Sequence, residues 1–187
     1  MRPGIFLVLG LLMVAACAPV PVTTTTVAPA VPSMTSVVTP TPIPTEAITL
    51  PPPGAQRMEG GCGGTTIYKG GTLPSWALVN APTFLTYVVA TPPTVIGYLF
   101  TDPMHAGDEI GNKILWYVAG SREDKPLVAT AHPLSAAQPT ASFTIPANSG
   151  PGEIYPSGPK APSAGCWHFT LTWRGGAERA EVDLLFK

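Results

Sequence analysis

Residues 166–173, Cys-Trp-His-Phe-Thr-Leu-Thr-Trp, carry a large apolar side chain at every second position. Trp167, Phe169, Leu171 and Trp173 fall on one face, and Cys166, His168, Thr170 and Thr172 on the other. A period of two is that of a half-buried strand; a helix would repeat its apolar face every three or four residues. After a turn at 174–177 that contains Gly175 and Gly176, Val182, Leu184 and Phe186 repeat the pattern against Glu181 and Asp183. The two segments read as an antiparallel hairpin with one face in a core.

Five further β-rich runs precede this pair: 85–90 (LTYVVA), 95–101 (VIGYLFT), 113–119 (KILWYVA), 127–132 (LVATAH) and 140–145 (TASFTI). Turn-formers separate them, among them Thr91-Pro92-Pro93, Gly107-Asp108 and Ser149-Gly150-Pro151-Gly152. Seven short strands, with no helix-period segment beyond a single turn at 75–79, predict an all-β antiparallel sandwich. Trp116 is expected as a core aromatic on a middle strand. About 130 residues suffice to bury such a core, so folding requires no metal.

The first 57 residues have a different character. Residues 1–17 read MRPGIFLVLGLLMVAAC: one basic residue, Arg2, then an apolar run over 5–16 and a cysteine. That run is about 18 Å long as a helix, too short for a bilayer core of about 30 Å, and so reads as a signal peptide. Its end, Val14-Ala15-Ala16-Cys17, resembles the lipobox of bacterial lipoproteins. The resemblance implies that the Cys17 thiol receives a diacylglyceryl group and becomes the first residue of the mature chain. An ordinary secretory signal is the alternative. Two or three acyl chains anchor stably, where one binds only marginally.

Residues 18–57 are expected to be a disordered Pro/Thr-rich linker, with ten prolines and nine threonines between 18 and 56 and Glu46 the only charge there. Proline fixes φ and donates no hydrogen bond, so neither a helix nor an inner strand runs through such a stretch. An extended linker at about 3.1 Å per residue reaches on the order of 120 Å. Its expected role is to hold a domain at 58–187 away from a lipid surface. O-linked sugar is one possible decoration of such stalks, and a plain linker is the other reading.

Only 11% of the chain is charged and the formal net charge is −1, which excludes a polyanion-binding surface and with it nucleic acid as a partner. With Cys17 assigned to lipid, Cys62 and Cys166 remain as an even pair in an oxidising compartment, and a disulfide between them is expected. Two free thiols are the alternative. Because Cys166 lies opposite Trp167 and Phe169, the bond should staple residues 60–64 onto the outer face or edge of the last sheet. It should not cross the core as in antibody domains.

The stretch 152–186 resembles the C-terminal part of uncharacterised bacterial exported lipoproteins, matching through Pro162, Gly165, Cys166, Trp167 and Trp173. Its layout also resembles the F–G hairpin of immunoglobulin-like domains. The resemblance implies an immunoglobulin-like sandwich of about seven strands in the cell envelope and carries no activity. Glu153 and Tyr155 resemble a feature of the family and are candidates for a binding rim, although shaping a tight loop explains them equally.

Catalytic signatures are lacking: no HExxH, GxSxG, CxxC, GxxxxGK or EF-hand spacing occurs. The densest set of potential ligands is Asp102, Met104, His105, Asp108 and Glu109, where Met104 and His105 are weak candidates for a soft copper site; a solvated loop is the plainer reading. His168 is expected across from Glu181 or Asp183 as a polar pair. These readings converge on a non-enzymatic binding or scaffolding module without a cofactor, lipid-anchored at the cell or outer membrane with its folded domain outside the cytoplasm. Its partner would be an envelope protein, a wall polymer or a small ligand. The alternative is a copper- or zinc-binding envelope protein or a metal-assisted enzyme.

Overall fold

In a computed structural model of the chain, the described residues are 46–78, 84–107 and 111–187. The expected signal peptide, Cys17, the linker up to residue 45, and Asp108 and Glu109 lie outside them.

The described residues form ten strands in two antiparallel sheets and contain no α-helix. One sheet has six strands: β1 (Gln56–Met58), β2 (Ile67–Lys69), β3 (Thr86–Val89), β4 (Val95–Leu99), β5 (Ile114–Val118) and β8 (Ile154–Ser157), adjacent in that order. The other has four, β6 (Leu127–Pro133), β7 (Ala141–Ile145), β9 (Gly165–Trp173) and β10 (Glu178–Phe186), in the order β10-β9-β6-β7. All seven runs legible in the sequence are strands. Of the three that the sequence does not announce, β1 and β2 are only three residues long, too short to show a period. β2 lies between Gly-Gly pairs, and β8 contains Pro156, which an edge strand tolerates.

The inner faces of the two sheets meet in one core. Trp167, Phe169, Leu171 and Trp173 of β9 and Val182, Leu184 and Phe186 of β10 pack against Val88, Leu99, Ile114 and Trp116 of the six-stranded sheet. Trp116 is completely buried, and its indole N–H donates to Ser157 Oγ at 3.0 Å. The position opposite it on β4 is Gly97, where a Cβ would come within 2.5 Å of the Trp116 ring. Glycine is required here by close approach, not by backbone angle.

The middle of the six-stranded sheet is buried on both faces. Its outer side carries a row of tyrosines, Tyr68, Tyr87, Tyr98 and Tyr117, with neighbouring ring centroids 5.4–5.8 Å apart. Ile48, Leu73 and Ala77 cover that row, so all five residues of β4 are buried. This corrects the linker boundary, because residues 46–57 belong to the folded layer. Ile48 is only 3% exposed and its N–H donates to Pro93 O, while Glu46 O accepts from the Trp76 indole at 2.8 Å. Proline-rich coil can cover a sheet face without being a strand, so this stretch has no period to read.

Two measurements test this packing. Gly97→Ala should lower unfolding stability by about 1–3 kcal/mol, read from the denaturation midpoint, because the core must shift around Trp116. Burial raises the phenol pKa of Tyr87 and Tyr155 from 10.0 to about 12, and raises those of Tyr98 and Tyr117 as well. The folded state keeps these phenols protonated while the unfolded chain ionises them near pH 10. Stability should therefore be intact below pH 10 and be lost as pH rises through about 12, with phenolate absorbance and loss of circular dichroism appearing together.

Candidate functional site

Glu153 and Tyr155 do not form a rim. Tyr155 is completely buried in the inter-sheet core, and its hydroxyl donates to Lys125 O at 2.9 Å. Arg122 lies over its ring, 5.3 Å from the centroid, and donates to Ile154 O at 2.7 Å. Glu153 accepts from the Arg122 backbone N–H and sits 3.5 Å from its guanidinium. The three side chains lock the 120–125 turn to β8, the loop-shaping alternative. Arg122 itself has no recognisable sequence signal, because it lies 31 residues from Glu153.

Met104 and His105 are also structural. Met104 is 3% exposed and belongs to the core, with its backbone bridged to the end of β10. The His105 N–H donates to Asn112 Oδ1, and Asn112 Nδ2 donates to His105 O and Pro159 O, so the buried Asn112 pins this loop. Asp102 accepts a long, 3.4 Å bond from Thr86. No group of three His, Cys, Asp or Glu side chains that could hold a metal occurs among the described residues.

Cys62 and Cys166 are disulfide-bonded across a separation of 104 residues. Cys166 stands on the outer face of β9 beside Leu185, and the 60–65 loop crosses the edge of β10 to reach it. Asp183 receives that loop. Its Oδ2 accepts the Gly64 N–H at 2.8 Å, its own N–H donates to Thr65 Oγ1 at 2.8 Å, and its Oδ1 lies 2.8 Å from His168 Nδ1. The position opposite Asp183 in the ladder is His168, and the one opposite His168 on the other side is His132. Alternation places His168 and Asp183 on the outer face. Only strand register brings His132 beside them, with ring centroids 5.3 Å apart.

A sheet edge exposes unpaired backbone groups, and folded proteins usually block it. β1 is three residues long and carries Arg57. β8 contains Pro156, and Arg122 caps its Ile154 carbonyl. β10 is covered along its length: Thr91 exchanges two 2.8 Å backbone bonds with Glu181, Thr65 takes the Asp183 N–H, and Met104 O accepts the Lys187 N–H. β7 differs. It is uncharged and free of proline, exposes Ser142 and Thr144, and has no second strand beside it among the described residues. A cleft of about 540 Å³ adjoins Ala141, Ser142 and Phe143, and another of about 440 Å³ adjoins Thr144.

No protein-family model, curated protein or solved structure matches the chain.

Asp183→Ala removes the anchor of the disulfide loop. It should cost about 1–3 kcal/mol of stability and speed amide exchange at Gly64 and Thr65. The β1–β2 pairing beyond the loop should keep its protection, since the disulfide still ties residue 62 to β9.

Proposed function

We propose that the chain is a lipid-anchored envelope protein, held through an acylated Cys17, whose sandwich is a non-enzymatic binding module. In this reading its partner is another envelope protein, which adds an extended segment along β7. The observation that carries the proposal is the asymmetry of the edges among the described residues: three of the four are blocked by charge, proline or covering chain, and β7 has no strand beside it. An added strand would gain affinity from main-chain hydrogen bonds and specificity from alternate side chains. The hydroxyls of Ser142 and Thr144 suit cross-strand contacts to an uncharged partner segment. A signal peptide ending in Ala15-Ala16-Cys17 and a Pro/Thr-rich stretch support the anchor and its spacing from a bilayer.

The test has two arms. Labelled palmitate should enter the exported protein in cells and fail to enter Cys17→Ala, which should also leave the membrane fraction. A photo-cross-linker at Ser142 should capture one discrete envelope protein, and the same group at Arg57 on the blocked edge should not. With the cross-linker kept at Ser142, the exposed substitution Thr144→Lys should abolish that adduct while preserving the circular dichroism spectrum. Equal capture from both edges would overturn the strand-addition reading, and a soluble, unlabelled product would overturn the anchor.

A further inference from the structure

The outer face of the four-stranded sheet holds two imidazoles that neither the core nor the open edge requires. We propose that His132 and His168 form a two-imidazole chelate for a borderline divalent transition-metal ion, of the copper(II) or zinc(II) class, with water completing its coordination.

The first support is position. The two residues oppose each other directly on β6 and β9, and their ring centroids are 5.3 Å apart. With a metal–nitrogen bond of about 2.0–2.1 Å, a ring centroid lies about 3.2 Å from the metal, so two rings at a tetrahedral angle have centroids about 5.2 Å apart. The observed centroid spacing matches that value.

The second support is the state of the nitrogens. His132 Nδ1 lies 2.9 Å from Pro133 O and 3.0 Å from Ala136 O. Both are pure acceptors, so Nδ1 carries the hydrogen. His168 Nδ1 faces the Asp183 carboxylate and donates in the same way. In each neutral ring the lone pair is therefore on Nε2, the atom that remains to bind a metal. A carboxylate or carbonyl accepting from the other ring nitrogen is the support that metal-ligating histidines commonly have, fixing the tautomer and raising basicity. Asp183 is itself held by the Gly64 N–H and cannot turn away from the ring.

The third support is charge and access. The His168 side chain is 24% exposed, and Glu181 Oε2 stands 3.8 Å from its Nε2, a carboxylate that offsets a bound cation's charge. Glu181 is also paired with Arg179 at 2.7 Å and so serves as a neighbour here, with the two nitrogens as the protein ligands. Imidazole donors select copper and zinc over magnesium and calcium, which prefer oxygen. This site is separate from Met104 and His105, whose loop is fixed by Asn112.

The experiment titrates the exported, disulfide-bonded protein with Cu²⁺ and Zn²⁺ by calorimetry, with electron paramagnetic resonance of the copper form. One equivalent should bind, and the copper spectrum should report two imidazole nitrogens. His132→Ala and His168→Ala should each weaken binding at least tenfold while keeping the native circular dichroism spectrum, and His105→Ala should leave it unchanged. Asp183→Asn, which keeps an acceptor toward His168, should weaken it less than either alanine variant. Equal affinity in the wild-type protein and His168→Ala, or a single-nitrogen copper spectrum, would overturn the proposal.

Discussion

One strand governs this protein. The alternation of β9 sends two tryptophans, a phenylalanine and a leucine into the core, and in the same step sends Cys166, His168, Thr170 and Thr172 to the opposite face. Burying that inner row against Trp116 and its neighbours fixes the register of β9 between β10 and β6. A slip of one residue would expose the whole row, which is a cost of several kcal/mol and excludes the alternative. Every outward residue therefore inherits a definite neighbour: Cys166 meets the loop that carries Cys62, His168 meets Asp183 on one side, and His132 stands on the other.

From that register follows the asymmetry of the sandwich. The disulfide and Asp183 draw the 60–65 loop over β10, and with Thr91 and Met104 they leave little of that edge free. At the far side of the same sheet nothing comparable covers β7 among the described residues. A chain that invests a disulfide, a threonine hydroxyl and two backbone bridges in one edge and leaves the other uncharged presents two different surfaces.

The six-stranded sheet shows how a polar-looking composition can still build a second layer. Its tyrosine row turns hydroxyls to backbone acceptors, Tyr87 to Gly70 O at 2.7 Å and Tyr98 to Ala77 O at 3.0 Å, while the rings pack tilted and edge-to-face into an apolar seam. Coil from residues 46–55 and the turn at Ser75–Ala77 complete the cover. Polar side chains are spent on shape: the charged pair Arg122 and Glu153 holds a turn, and the amide of Asn112 holds the His105 loop.

By itself the sequence determined the all-β class, seven of the ten strands, the inward and outward rows of β9 and β10, and the disulfide on the outer face. Each of these follows from local periodicity or from parity of cysteines, and both can be counted along the chain. The tertiary structure alone decided the burial of Tyr155 and Met104, the inclusion of residues 46–57, the meeting of His132 with His168, and which edge stays open. These depend on side chains 15 to more than 100 residues apart, and on short strands whose stability comes from neighbours already in place. Pairing across that distance is set by how whole sheets pack, and no local pattern encodes it.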